Sequence, residues 1–546
     1  MEIVAAVFAD FVDAFPGVPS TLNTRLGDRT VIEHTLVRLM RVGGLDRRCL
    51  VVRPRDEEAA REAVHKQGLR QSIDVLPIDD GRRPLRGLMR CGRVWNLDCW
   101  RGSPMTAWFD EYVEPLNVGR VLDHYRCEAV LCLDGQQPAL DVAIATGMIG
   151  YQRENEDKAR FTFTQAPPGL AGIILRRDVT RNYIANRYPV GLLVTYRPEF
   201  AQLDPITKEP CYRVPPEICR TAARFTADTR TSRELLAAAF QELGADCDAQ
   251  RLCEWTRARQ RGNAGVLPVE IELEITTADP LPDTMLRPRG DRVPRRELTN
   301  PEDVDRLLNQ YASYDDRLLI LGGFGDPLLH PAFPEICRRI RATNIRGLGV
   351  VTPLVELSDA CLNALIDCRV DLLEVLLDAN TAATYQTVNR ANRFDRVLDN
   401  LERLHAARRA RQIPQPLVAC GITRCAATLP EIDAFFEQWS KTVGWAVIRG
   451  YNEYCGTLPT DDLPSMRPLL RIPCRRLERR LMLLADGNAV TCSQDYAGET
   501  SIGSWREQSL ESLWTGAALR GLRMAHENQT FPADGFCARC GEWFRP

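Results

Sequence analysis

No stretch of the sequence reaches the run of about 20 apolar residues that a membrane-crossing helix needs. The N-terminus lacks the basic start and apolar core of a secretory leader, with Glu2 directly after the initiator methionine. Neither sign of charge is in excess: 70 Lys and Arg against 73 Asp and Glu leave a net charge of −3. That balance points to no nucleic acid and no anionic surface as partner. Four of the six residues from Arg475 to Arg480 are arginine, which a solvated helix face accounts for. Cysteine, in contrast, is plentiful, at 19 in 546 residues. Scattered cysteines without a leader suit a reducing compartment better than a disulfide framework, so a cytoplasmic location is expected.

Four of those cysteines stand apart from the rest. Cys537 and Cys540 form a C-x-x-C pair, and Cys474 and Cys492 lie upstream around a hairpin signal. The apolar residues Leu481 to Ala485 lead into the turn Asp486-Gly487-Asn488, and Ala489-Val490 leads back to Cys492. A C-x-x-C pair puts two thiolates on one tight loop, as a tetrahedral metal or an iron–sulfur cluster requires. A zinc ribbon and reduced buried thiols remain the alternatives on spacing alone. Most of the other fifteen cysteines, such as Cys132 and Cys361, sit in apolar surroundings and read as small core residues.

The chain is long enough for three or four domains. Residues 2–9 read as a buried strand and Val31 to Val42 as a helix with one apolar face. Further strands are expected at Leu50 to Val52, Ile73 to Ile78, Ala129 to Leu133 and Gly172 to Leu175, which makes residues 1–260 a doubly wound α/β domain. Residues 236–260 read as helical and charged, and 261–268 as a linker. From Val269 a second series begins. Val269, Ile271, Leu273 and Ile275 alternate with three glutamates and a threonine, and strands follow at Leu318 to Leu321, Leu348 to Val351, Leu372 to Leu377, Leu417 to Ile422 and Ala446 to Ile448. Asn300 followed by Pro301 marks a helix start. Six strand–helix units over 269–470 imply a partial (β/α)6 barrel.

Several stretches resemble known families. Pro473-Cys474, Asp486-Gly487, Cys492 to Asp495, Ile502 to Trp505, Ser509 to Trp514 and Cys537 to Trp543 follow the order of the C-terminal SPASM domain of radical-SAM proteins, here 471–546. The resemblance implies that Cys474, Cys492, Cys537 and Cys540 hold one auxiliary [4Fe–4S] cluster. Leu321 to Pro331, L-G-G-F-G-D-P-L-L-H-P, is similar to the turn that binds the methionine end of S-adenosylmethionine (SAM) in radical-SAM proteins. Gly322, Gly323, Gly325 and Asp326 would be its remnant. Leu376 to Tyr385 and Cys420 to Phe435 match later parts of the same barrel. The family's C-x-x-x-C-x-x-C loop after the first strand is replaced, however. Its three positions hold Asp279, Asp283 and Leu286, and no other C-x-x-C lies nearby. Carboxylates are poor ligands for a low-potential cluster and Leu cannot ligate. SAM cleavage is therefore not expected. Asp326 in place of the family's Glu and Leu376 in place of its Ser point the same way. Asp279 and Asp283 read as surface or capping residues.

Residues Leu26 to Leu36, Leu133 to Asp141 and Arg224 to Leu235 resemble sugar nucleotidyltransferases of the cytidylyltransferase type, with a glycosyltransferase-A fold. That resemblance implies Asp134 and Asp228 as Mg²⁺ ligands. The loop from Asp10 to Ser20, where the family binds phosphates, carries no basic residue. The whole arrangement is similar to the spiro-SPASM family. It implies an iron–sulfur protein that has lost SAM-cleaving chemistry, with an unidentified small molecule or protein redox partner. An Mg²⁺-dependent nucleotidyltransferase is the alternative.

Overall fold

The fold is that of a computed structural model, described for every residue except 15–17, 80–85, 96–105, 197–201, 261–264, 444, 461–462, 465–466, 532–534 and 546. Two compact units result, Met1–Arg261 and Gly262–Pro546. Residues 261–264 of the expected linker and 15–17 of the acidic loop lie outside the described residues. No helix among the described residues is long and apolar enough to cross a membrane.

The N-terminal unit is built on a seven-stranded sheet. Its strands are β1 (Ile3–Phe8), β2 (Arg47–Val52), β3 (Asp74–Pro77), β4 (Ala129–Asp134), β5 (Phe161–Thr164), β6 (Ile173–Arg176) and β7 (Cys211–Tyr212), in the order β7-β5-β6-β4-β1-β2-β3. β1 runs parallel to both β2 and β4, so their carboxyl ends share one edge. Every residue of β1 and β4 is buried, the signature of central strands covered on both faces. The sheet is mixed rather than wholly doubly wound, because β6 pairs antiparallel with β4 and β5. β5 and β7 were not expected from the sequence; with four and two residues they are too short to show a period. The expected helical stretch 236–260 is two helices, Arg230–Leu243 and Ala249–Gln260, broken at Gly244, which has φ of +85°.

The second unit holds a nine-stranded sheet. Six parallel strands follow in chain order: β8 (Glu270–Glu274), β9 (Leu318–Gly322), β10 (Gly347–Thr352), β11 (Leu372–Leu376), β12 (Leu417–Arg424) and β13 (Ala446–Gly450). Helices such as Pro301–Asn309 and Phe333–Arg341 cover the outside through Leu307, Phe333 and Ile336. Asn300 sits at the N-cap of the first, but its side chain makes no capping hydrogen bond.

The cysteine-bearing tail does not hang off this barrel as a separate body. Its hairpin, β14 (Arg480–Leu483) and β15 (Asn488–Val490), extends the sheet. β14 pairs parallel with β8 from Glu270↔Arg480 to Leu273↔Leu483, and β16 (Ser501–Ser504) follows β15. Leu481, Leu483, Trp505 and Trp514 join the barrel's apolar core. Gly487 takes φ of +96° at the hairpin tip, where a side chain would be strained.

Candidate iron–sulfur site

The hairpin fixes the first two thiols. Cys474 lies just before the short helix Arg476–Arg479 that feeds β14, and Cys492 two residues after β15. The other two come from the turn of helix Phe536–Arg539, where Cys540 N–H donates to the Cys537 carbonyl. All four line one pocket, part of it open to solvent. Backbone donors meet three of the sulfurs. Glu542 N–H donates to Cys540 Sγ at 3.2 Å, Arg476 and Leu477 N–H groups face Cys474, and Gln494 N–H faces Cys492. Such donors favour thiolates.

Burial pushes the Cys474 thiol up, Cys492 up to about 11 and Cys537 up to about 12. Cys540 goes the other way, held down to about 6 chiefly by a hydrogen bond from Cys455. Cys455 keeps its proton for the same reason, its thiol pushed far up by that contact and by burial. This fifth cysteine was missed in the sequence. It is 6 % exposed and its thiol contacts Phe536 O at 3.4 Å and Gln494 Oε1 at 3.7 Å, behind the lining cysteines. Its only sequence signal is the turn Tyr454-Cys455-Gly456, whose three residues all take positive φ.

The chemistry of the donor set fits an iron–sulfur cluster. Four thiols converge on one cavity, and several polar lining groups have no protein partner: His526 Nε2, Gln494 Nε2 and Arg471 Nε. Buried orphan donors of this kind fit the sulfurs of a bound group.

The loop after β8 has a different character. Asp279 accepts the Leu281 N–H at 2.6 Å and stands 3.2 Å from the Arg289 guanidinium, with both side chains at most 5 % exposed. Asp283 is exposed. Leu286 packs with Val388 and Cys425 in a small apolar cluster. Arg287 is ion-paired to Asp378; burial, with Arg289 and Arg449 nearby, lowers its pKa to about 9. The three positions thus face an ion pair, solvent and an apolar plug.

The glycine turn that follows β9 is tight. Gly323 has φ of +86°, and a Cβ on Gly325 would come within 2.2 Å of Thr276 O. Gly323 N–H donates to Glu272 Oε1 and Phe324 N–H to Glu274 Oε2, so side chains of this chain occupy those donors. Gly322 ends β9. Asp326 caps the next turn through Leu328 N–H and accepts from Thr352 Oγ1 at 2.8 Å; burial pushes it up to about 7.

In the N-terminal unit, Asp134 ends β4 and lines a cavity with Ala9, Arg93 and Glu111. Burial pushes its carboxyl up to about 7, and its Oδ2 has no partner. Asp228 is fully engaged. Arg224 donates to both its oxygens at 2.9 and 2.8 Å, Thr226 Oγ1 donates to Oδ1 at 2.5 Å, and the same guanidinium grips Glu111. Burial opposes the Arg224 charge, but the Asp228 and Glu111 carboxylates outweigh it and hold its pKa well up. No group of three or more His, Cys, Asp or Glu among the described residues is placed to hold one metal ion. Where the sequence suggested Mg²⁺ on Asp134 and Asp228, the structure has a guanidinium on Asp228.

Comparison with known proteins agrees with the barrel and tail. Residues 274–413 match the Radical SAM superfamily and residues 474–541 the iron–sulfur cluster-binding SPASM domain. The second unit is thus an α/β fold with a parallel-sheet radical-SAM-type domain followed by a SPASM domain. An uncharacterized protein of Treponema pallidum (strain Nichols) is 26% identical over 326 residues, covering 57% of this chain and 87% of that one. Among solved structures, Streptococcus suis SuiB bound to its precursor peptide SuiA has a TM-score of 0.41 at 11% identity, covering 57% of this chain and 83% of that one. A cytidylyltransferase from Leptospira borgpetersenii has a TM-score of 0.33 at 15% identity, covering 48% of this chain and 94% of that one.

Proposed function

We propose that this is an iron–sulfur protein of the spiro-SPASM kind, in which Cys474, Cys492, Cys537 and Cys540 hold one [4Fe–4S] cluster and the barrel no longer cleaves SAM. The observation that carries the proposal is the convergence of the four thiols on one cavity lined by orphan donors. A zinc ion would draw its sulfurs to within about 4 Å of one another, since Zn–S bonds are about 2.3 Å. When bound, such a cluster supplies one-electron chemistry. The chain's own residues supply four thiolates and backbone N–H groups that steady them.

Retirement of the barrel is supported by the loop after β8. An ion pair, an exposed carboxylate and a buried leucine stand where three thiolates are needed. Incubation of the reconstituted protein with SAM and dithionite tests this. Unchanged SAM is expected; reductant-dependent consumption would contradict it. The cluster's role then lies in electron transfer, in binding a small molecule or a protein redox partner, or in holding the tail closed.

A second reading, an Mg²⁺-dependent sugar nucleotidyltransferase in the N-terminal unit, draws on one observation. Asp134 offers an unpartnered oxygen to a cavity at the carboxyl ends of β1 and β4, where open α/β sheets bind ligands. Calorimetric titration with CTP and Mg²⁺ decides it: heat that disappears in Asp134→Ala supports the reading, and a flat trace rejects it.

A further inference from the structure

His526 lies on the helix Ala517–Asn528, is 3 % exposed, and lines the pocket of the four cysteines. Its Nδ1 accepts the backbone N–H of Cys474 at 3.2 Å. A ring nitrogen that accepts carries the lone pair, so in the neutral imidazole the proton sits on Nε2. That Nε2 has no partner in the protein. The Phe531 ring meets the imidazole edge-on at 4.6 Å between centroids, and Arg471 stacks over Phe531 at 4.1 Å, so the ring is held in place. A buried, oriented N–H donor without an acceptor is rare in a native fold and calls for one.

We propose that His526 is a positioning residue for the cluster: its Nε2–H donates to a cluster sulfur and makes the cluster easier to reduce. The inference rests on the cluster reading above. An added electron puts charge on the sulfurs, so a donor there stabilises the reduced form more than the oxidised one. The same tautomer excludes His526 as an iron ligand. Ligation through Nε2 would move the proton to Nδ1, against the Cys474 N–H. Gln494, 2 % exposed, brings a second unpartnered N–H to the same pocket. Donors aimed at sulfurs discriminate between oxidation states, a property an electron carrier uses and a structural staple does not. The exchange is one electron, from a low-potential donor such as a reduced flavoprotein or another iron–sulfur protein, and no covalent bond forms or breaks.

The test uses the full-length chain, reconstituted anaerobically, with iron counted before a mediated redox titration followed by electron paramagnetic resonance. His526→Asn keeps an acceptor for the Cys474 N–H but is too short to place a donor at the Nε2 position; His526→Gln keeps a donor near that position. Equal iron in all three proteins is expected, with the Asn variant shifted to a more negative potential and the Gln variant near wild type. Equal potentials in wild type and the Asn variant would overturn the inference. Loss of iron in both variants would also overturn it, since His526 would then be a ligand or a purely structural residue. A wild-type chain without iron would sink the cluster reading and this inference together, and the iron count separates that failure from the others.

Discussion

Replacing Arg224 by Met tests whether a guanidinium has taken the place of a cation in the N-terminal unit. Arg224 is at most 4 % exposed at its side chain and grips Asp228 and Glu111, which are equally buried. Removing one partner of a buried ion pair costs about 3–5 kcal/mol, because the other charge stays desolvated. Here Asp228 loses its arginine while Glu111 keeps Arg93 at 3.7 Å, and Asp134 is close enough to repel both carboxylates. A loss of about 3–5 kcal/mol is therefore expected. A typical domain has a total stability of only about 5–15 kcal/mol. Guanidinium chloride titration followed by tryptophan fluorescence measures the loss, with the transitions of the two units fitted separately. The orphaned carboxyls would have raised folded pKa values, so the variant should regain stability as pH falls. Divalent cation should also restore part of it, since Mg²⁺ could now enter between Asp228 and Glu111. Arg224→Lys should fall between, because lysine keeps the charge but not the fork. A loss below about 1 kcal/mol for Arg224→Met would refute the reasoning.

Other predictions follow from the same kind of accounting. Cys537→Ala should abolish cluster loading and loosen residues 471–546, read by iron analysis and by limited proteolysis of the tail; full iron and unchanged proteolysis would contradict the ligand assignment. Asp279→Ala leaves the Arg289 guanidinium buried and removes the Leu281 turn bond, so a loss of about 3 kcal/mol is expected by denaturant titration. Asp279→Ala together with Arg289→Met should recover most of it. Asp326 has a folded pKa raised by burial to about 7, so it contributes stability that is full below its unfolded value near 3.8 and lost as pH rises through about 7. Asp326→Asn removes that dependence: the variant should gain on wild type between pH 5 and pH 8, and parallel curves would show that the carboxyl is not strained.

The barrel was legible because its physics is local. Alternation of apolar residues and glutamates from Val269 to Ile275 marks β8, and short apolar runs mark the strands after it. The same holds for the hairpin and its two cysteines, where Asp486-Gly487-Asn488 announces the turn. The deeper parts of the sites were not legible, because they depend on charges and donors that meet only in the fold. Asp228 was singled out, but Glu111, which shares its Arg224, lies 113 residues from that arginine, and no spacing links them. His526 sits on a helix with ordinary amphipathic patterning, 52 residues from Cys474. Cys455 belongs to no C-x-x-C pair, and its approach to Cys540 depends on a run of positive φ angles. β5 and β7 were missed for want of length. Pattern thus recovered elements, while partnership across the chain needed the structure.

The most direct measurement is anaerobic purification followed by iron, sulfide and zinc analysis with an absorption spectrum. About four iron and four sulfide per chain are predicted, for one cluster on four cysteines. About one zinc without iron would contradict the cluster and leave a structural ribbon, and about eight iron would contradict the retirement of the barrel.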